Sequence, residues 1–379
     1  MPGKSNASSE NQNNSFALKL KSLFVAPEQK DRKNNINLLR FIAAAAVIAG
    51  HMPVFVKGVV PILGNQAVST IGVMVFFLLS GYLISTSLKR DPNIFRYLVR
   101  RCMRIFPGLI LVVTASVFII GPCVTSLSLG EYARSSQTWA YLLNCVLNLH
   151  HNLPGVFDDP ASGLPAAVNG SLWTLPVEFL MYLLLPCVLF CIKRLAKPHY
   201  VLLALALICH VIACLLAEGV ISSSIVVWGT ALADIPHLAS FFCVGAAIAE
   251  KPEFLDRLHV QTGFLLLLLL AIFVPTTNWG SYTLLIFVLP YVTFAFALPK
   301  QARFGRVFAV HDYSYGIYLW GFPVQQLITH AIGVSALTPF CMTLLCFAVT
   351  LPLAMLSWFL IEHPGQKLGQ KITAWSKSK

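Results

Sequence analysis

Two ionisable residues lie within the first long apolar stretch of the chain, "LLRFIAAAAVIAGHM" (38–52), with Arg40 near its start and His51 near its end. Eleven positions along an α-helix correspond to about 16 Å of rise and about 20° of rotation, so both side chains lie on one face. Ionisable groups at such depth usually face a bundle interior or a wet cavity, which makes His51 a candidate acid–base or nucleophilic group. In the alternative, Arg40 reaches the lipid headgroups and His51 hydrogen-bonds a neighbouring helix.

A carboxylate lies inside another apolar stretch, "NGSLWTLPVEFLMYLLLP" (169–186). Glu178 is a functional candidate there, or else the counter-charge of a buried arginine or histidine. Asn169, Ser171 and Trp173 precede it at the edge of the apolar segment. They are candidates to line a polar site, and Asn169 is equally suited to cap the start of the helix.

Small residues interrupt "IGVMVFFLLSGYLISTSLKR" (71–90) at Ser80 and Gly81. A glycine allows a backbone or a ligand to approach closely, and a serine hydroxyl can bind a substrate or its own helix backbone. Close packing of small residues between membrane helices is the competing explanation.

Arginines are dense in "KRDPNIFRYLVRRCMRIFP" (89–107), which follows directly. This segment is suited to anchor a helix at the cytoplasmic face, as positive charge commonly does. Arg101 and Arg104, three positions apart, could in addition clamp a phosphorylated ligand through bidentate hydrogen bonds. A nucleotide-bearing ligand delivered from the cytosol fits this patch.

The elements that must position these residues are membrane helices. The chain of 379 residues is 57% hydrophobic and 11% charged, whereas soluble proteins have about 25% charged residues. We therefore predict an all-α integral membrane protein, a bundle of about ten transmembrane helices. The predicted spans are roughly 36–56, 67–88, 104–122, 171–192, 200–217, 232–249, 262–276, 280–298, 312–332 and 338–361.

The distribution of charge orients the bundle. The formal net charge of +12 comes mainly from lysines and arginines in alternate inter-helix segments, rather than in one nucleic-acid-binding patch. This pattern predicts cytoplasmic N- and C-termini for an even number of spans. The predicted organisation is a polar N-terminal extension (1–35), a transmembrane domain (36–363) and a basic tail (364–379). The ten cysteines have no metal-ligand spacing, so no metal is expected, and pairing of Cys123 with Cys145 is left open.

Six blocks of the sequence resemble, in order, those of the membrane acyltransferase-3 family. They are the Arg40/His51 pattern, "VFFLLSGYLIS" (75–85), "RRCMRIFP" (100–107), "NGSLWTLPVEFLMY" (169–182), "YSYGIYLWGFPV" (313–324) and "WFLIEHP" (358–364). The resemblance implies transfer of an acyl group, commonly acetyl from acetyl-CoA, to a hydroxyl of a cell-envelope saccharide. It is greatest to stand-alone enzymes that modify lipopolysaccharide O-antigen or related glycans in the bacterial inner membrane. Gly321 departs from the pattern, because members often have histidine there.

The resemblance also implies roles. His51 would act as general base or as acetyl carrier, and Glu178 would orient His51 or bind sugar. Acetyl-CoA would contact Arg40, Ser80, Gly81, Arg101 and Arg104, and the saccharide or lipid-linked saccharide acceptor would contact Asn169, Ser171, Trp173 and Trp320. The remaining expected partners are membrane lipids, and no nucleic acid is expected. The rival hypothesis is a polytopic transporter that uses Arg40, His51 and Glu178 for substrate or proton binding, although no internal repeat supports it.

Overall fold

Long apolar segments become helices because a bilayer offers no partner for a backbone N–H or C=O group, and a helix satisfies these groups internally. The computed structural model describes residues 34–158, 164, 166–222, 224–299 and 311–378. Its longer helices are α1 (Ile36–Phe55), α2 (Val68–Arg90), α3 (Ile94–Ala115), α4 (Thr174–Ile192), α5 (Pro198–Ala217), α6 (Asp234–Glu250), α7 (Val260–Ile272), α8 (Asn278–Ala297), α9 (Ser314–Ile332), α10 (Pro339–Ser357) and α11 (His363–Ser378).

Short elements extend or connect these helices. Two π-helical turns, Ser116–Ile120 after α3 and Trp358–Glu362 after α10, continue the helix that precedes them, and Gly121–Val124 follows the first. The remaining short helices are Leu129–Arg134, Ser136–Ala140, Tyr141–Val146, Gly170–Trp173 and Pro252–Arg257. Two small antiparallel hairpins pair β1 (Ile62–Leu63) with β2 (Gln66–Ala67), and β3 (Val226–Val227) with β4 (Thr230–Ala231).

The helices confirm the prediction of an all-α membrane protein. In the part of the chain that the structure describes, seven helical segments are long and apolar enough to cross a bilayer. The predicted spans 232–249, 262–276 and 312–332 correspond to α6, α7 and α9, which are helical but do not belong to these seven. The number of ten spans and the cytoplasmic termini therefore stay predictions. The predicted third span, 104–122, lies within a longer helical segment, because α3 begins at Ile94 and includes the arginines before residue 104.

Two further predictions concern the ends of the chain and a pair of cysteines. Almost all of the predicted N-terminal extension lies outside the described residues, whereas the predicted basic tail forms most of α11. Cys123 and Cys145, whose pairing the sequence leaves open, are both free thiols.

Small residues bring neighbouring helices into backbone contact. The run "AAAA" and Gly50 lie where α1 meets α2, and a Cβ atom at Gly50 would be 2.5 Å from the backbone nitrogen of Ser69. Gly81 of α2 and Gly245 of α6 form a similar seam, because a Cβ on either one would overlap a backbone carbonyl of the other helix. The structure therefore supports the packing explanation for Gly81, and the predicted ligand contact there stays a prediction.

This seam yields a prediction for stability. We expect Gly81→Ala to destabilise the protein by about 1–3 kcal/mol, because the added methyl group overlaps the carbonyl of Phe242 on α6. Gly130→Ala is the matched control, since this glycine is also helical but has no atom within 4 Å of the added Cβ. Thermal melts of the detergent-purified variants check this. Equal melting temperatures for the two variants would contradict the close α2–α6 contact.

Candidate active site

A small cavity of about 60 Å³ lies among α1, α2, α3, α4 and α9. It collects most of the polar residues that the sequence singles out in these helices. Its lining comprises Arg40, Phe76, Phe77, Ser80, Leu83, Ile84, Arg101, Arg104, Ile105, Thr174, Leu175, Glu178, Tyr182, Tyr315 and Tyr318. The volume is enough for a few water molecules, since a single water needs about 10–15 Å³ by the same measure.

One carboxylate holds two of the arginines at the end of this cavity. Asp312, just before α9, forms an ion pair with Arg40, with 3.1 Å between Nε and Oδ2, and accepts a hydrogen bond from Arg104 Nη2 at 2.7 Å. Ser314 donates its hydroxyl to Asp312 and accepts a hydrogen bond from Arg40 Nε at 3.3 Å. Two positive groups share one negative group, so this end of the cavity keeps an excess of positive charge.

Of the three arginines that line the cavity, Arg101 is the one that pairs with no carboxylate among the described residues. Its guanidinium carbon lies 5.8 Å from the ring centres of both Tyr97 and Tyr182, a distance typical of cation–π contacts. Among the described residues, it belongs to no ion pair, and its buried Nε has no hydrogen-bond partner. Arg101 is thus free to bind an anion that enters from this side.

Two other arginines of the segment 89–107 form ion pairs with a second carboxylate. Arg96 and Arg100 both donate to Asp91, which lies between α2 and α3. These hydrogen bonds hold the pKa of Asp91 well below its usual range. Arg96 therefore stabilises the start of α3, and Arg100 retains two guanidinium nitrogens without a partner.

Glu178 lies in the cavity wall and receives hydrogen bonds from two hydroxyls. Ser80 Oγ donates to it at 3.1 Å, and Tyr182, one turn further along α4, donates a second, short hydrogen bond. Among the described residues, Glu178 takes part in no ion pair, whereas Asp312 pairs with two arginines. The role of counter-charge to these arginines therefore belongs to Asp312.

A layer of hydroxyl and amide groups forms the other end of the cavity. Thr174 and Tyr318, which line it, lie 2.6 Å apart between their hydroxyl oxygens. The Tyr318 hydroxyl also lies 2.6 Å from the carbonyl oxygen of Ser171, to which it donates. Asn169 donates to the carbonyl of Leu319 at 2.9 Å and accepts from the Ser171 hydroxyl at 2.7 Å. Asn169 and Ser171 thus fix the start of α4 against α9.

His51 lies outside the cavity, beside Phe322. Its ring contacts Phe322 edge to face, with 5.8 Å between ring centres, and Phe322 in turn packs against Gly170. His51 is not among the residues that line the cavity. The contacts of Glu178 therefore do not support the hypothesis that Glu178 orients His51.

Trp173 and Trp320, which the sequence suggested as contacts for the acceptor, are half-buried and lie apart from the charged groups. The carbonyl of Trp173 accepts from Thr230, at 3.0 Å, next to the β3–β4 hairpin. Trp320 lies on α9 between Tyr318 and Phe322, and its buried indole N–H has no partner among the described residues. Both remain candidates for contact with an acceptor.

Sequence reasoning missed Asp312 and Tyr182. An acid placed just before an apolar helix was a usable signal for Asp312, since such a group can meet buried arginines. Tyr182 follows Glu178 by four positions, and residues with this spacing are neighbours on a helix. The sequence alone could not show which arginine Asp312 would contact, because the packing of the helices decides which arginine lies near it.

These observations define a helical membrane protein with a buried cationic cavity. A histidine of the same bundle, His51, lies beside Phe322 outside this cavity. A family model described as an acyltransferase domain matches residues 33–359, which is most of the chain. The protein belongs to this acyltransferase-3 family, as the resemblance in six blocks predicts. No solved structure matches the chain.

Two of three similar curated proteins carry the name of an O-acetyltransferase. The "O-acetyl transferase" of Shigella phage Sf6 is 28% identical over 334 residues, which cover 87% of this chain and 95% of the relative. "Nodulation protein 10" of Rhizobium leguminosarum bv. viciae is 25% identical, over 90% of this chain and 95% of the relative. "Peptidoglycan O-acetyltransferase OatA" of Listeria monocytogenes is 25% identical, and the chain spans 56% of its length.

The shared carboxylate at the cavity gives a testable expectation. Asp312→Asn leaves Arg40 and Arg104 close together without a charged partner, and removing one partner of a buried ion pair costs about 3–5 kcal/mol. We expect a marked loss of melting temperature in detergent. Asp91→Asn is the control, because it breaks ion pairs of the same type, with Arg96 and Arg100, and among the described residues Asp91 forms no ion pair with the arginines that line the cavity. If both variants melted alike, Asp312 would not be the group that holds the cavity together.

Proposed function

We propose that this acyltransferase moves an acetyl group from acetyl-CoA to a hydroxyl of a cell-envelope saccharide, lipopolysaccharide O-antigen or a similar glycan, in the bacterial inner membrane. The observation that carries the proposal is the cavity whose cationic end is formed by Arg40, Arg101 and Arg104. A phosphorylated donor requires such an end. The names of the phage and listerial relatives support O-acetyl transfer, and the listerial name supports a glycan acceptor.

The donor enters at the cationic end in this proposal. Both termini are cytoplasmic and the bundle has ten spans, so the start of α3 and its arginines lie on the cytosolic side, where acetyl-CoA is available. The anionic part of the donor binds Arg101 and Arg104, and the pantetheine arm runs along α1. Arg40 and His51 are about 16 Å apart along this helix, a distance that a slender arm has to bridge.

His51 carries the chemistry. As general base it takes the proton of the acceptor hydroxyl while that oxygen attacks the thioester carbonyl; the C–O bond forms, the C–S bond breaks, and the proton passes to the departing thiolate. As nucleophile, a ring nitrogen of His51 attacks the thioester carbonyl, so that a C–N bond forms, the C–S bond breaks and the ring proton passes to the departing thiolate. The acceptor hydroxyl then attacks the acetyl group, the C–N bond breaks, and the hydroxyl proton passes to the freed imidazole. Both routes require a path from the cavity to His51, which lies beside Phe322 and does not line the cavity.

Glu178 and the remaining polar residues have supporting roles in this scheme. Glu178, with Ser80 and Tyr182, offers an acceptor and two hydroxyls next to the path of the donor arm. Asn169, Ser171, Trp173 and Trp320 are proposed to contact the saccharide from the layer around His51. The transporter hypothesis assigns the same buried charges to transport and predicts no thioester consumption.

The first test concerns His51. We expect His51→Ala to abolish acetylation of the surface glycan while the protein still inserts into the membrane, because it removes the group proposed to take the proton or carry the acetyl group. His330→Ala, which removes an exposed histidine of α9, should retain activity. The readouts are mass spectrometry of the glycan and immunoblots of membrane fractions. Normal acetylation by His51→Ala would rule out the assignment.

The second test concerns Arg101. Hydrogen bonds to charged groups contribute about 1.5–3 kcal/mol, so Arg101→Ala should raise the KM for acetyl-CoA by roughly tenfold or more. The effect on kcat should be smaller. Arg96→Ala is the matched control, because this arginine is bound to Asp91 instead. An unchanged KM in steady-state assays with Arg101→Ala would exclude this residue from the donor site.

A further inference from the structure

A tandem repeat marks the C-terminal helix. The segment "GQKLGQK" (365–371) places glycine at 365 and 369, glutamine at 366 and 370, and lysine at 367 and 371. Residues four apart lie on the same face of a helix, so each residue type forms its own stripe along α11. The proposed catalytic scheme uses none of these residues.

The glycine stripe brings α11 against α3. A Cβ atom at Gly365 would lie 2.9 Å from Pro107 Cγ, and one at Gly369 would lie 3.0 Å from Met103 Cγ. Any larger residue would push the two helices apart. The close approach therefore sets the distance between the neighbouring glutamine stripe and the arginines of α3.

A second cavity, of about 170 Å³, lies between these stripes. Its lining consists of Arg100, Arg101, Met103, Arg104, Gln366 and Gln370. Several donors of this lining are buried without any hydrogen-bond partner among the described residues: Nε and Nη2 of Arg100, Nε of Arg101 and Nε2 of Gln366. Buried donors without partners are costly, which indicates that the site is built for a bound acceptor.

The chemistry of the lining favours a phosphate group. Guanidinium groups bind phosphate oxygens in bidentate fashion, and the amides of the glutamines add neutral donors. No carboxylate lines this cavity. Pockets for whole small-molecule ligands have volumes of about 300–1,000 Å³, so a phosphate or pyrophosphate group fits here but a complete nucleotide does not.

We propose that α11 and α3 together form an anion site that binds the phosphate groups of the acyl donor, with Gln366 and Gln370 as ligands beside Arg100, Arg101 and Arg104. Arg101 and Arg104 line both cavities, so a donor anchored here by its phosphates directs its acyl arm toward Glu178. The identity of the ligand rests on the proposed function, whereas the anion site itself does not.

The test uses the full chain in detergent and isothermal titration calorimetry with coenzyme A, pantetheine and inorganic pyrophosphate. Gln366→Glu places a negative charge next to the arginines, and we expect it to weaken coenzyme A binding by at least about tenfold. Lys371→Gln is the matched control, because it changes the net charge by the same amount on the exposed side of α11. It should alter binding by less than about twofold. Pantetheine, which lacks phosphates, should bind both variants as it binds the unaltered protein.

A second variant separates loss of the anion site from misfolding as the cause of weaker binding. If Gln366→Glu lowers the melting temperature of the ligand-free protein, the Gln366→Ala, Gln370→Ala double variant replaces it, and its binding should be weaker by several-fold. Coenzyme A and pyrophosphate affinities that match those of the unaltered protein would overturn the anion site, as would a complete lack of binding of both. Binding of pyrophosphate but not of coenzyme A, weakened by Gln366→Glu, would keep the anion site and refute the proposed donor.

Discussion

The buried ion triad of Arg40, Asp312 and Arg104 is the interaction on which the rest of the site depends. One carboxylate joins α1, α3 and the segment before α9, and it allows two guanidinium groups to lie side by side in a largely apolar bundle. Ion pairs of this kind contribute little net stability compared with apolar packing, but losing one partner leaves an uncompensated charge. The triad therefore fixes the geometry of the cavity and leaves Arg101 available to a ligand.

The triad also divides the site into two levels. Arginines and Glu178 form the level that we assign to the donor, and His51 lies in the second level, beside Phe322 and outside the cavity. In the proposed enzyme, this division would allow the acyl donor to bind from the cytosol while the acceptor saccharide binds from another compartment. The small volume of the first cavity then implies that binding of the donor displaces water and side chains before the acetyl group reaches His51.

The sequence predicted the helical membrane class and the family, because apolar segments and short sequence blocks are local signals, whereas the donor-binding roles stay predictions. It identified Arg40, Ser80, Arg101, Arg104 and Glu178, and the structure brings all five to one cavity. It could not assign Asp312 as the counter-charge or Gly81 to a helix seam, since both depend on which helices are neighbours. The helical period placed Arg40 and His51 on one face of α1. The period of one helix does not show which side chains of α4 and α9 lie near each of them.

The central claim is that the donor binds at the arginine-lined end of the bundle, on the cytoplasmic side. Sealed membrane vesicles of defined orientation, supplied with acetyl-CoA that carries a radiolabelled acetyl group, test this claim most directly. We predict that label reaches the glycan only when acetyl-CoA is added to the face that carries the arginines of α3. Transfer of label from the opposite face alone, or equally from both, would contradict the account.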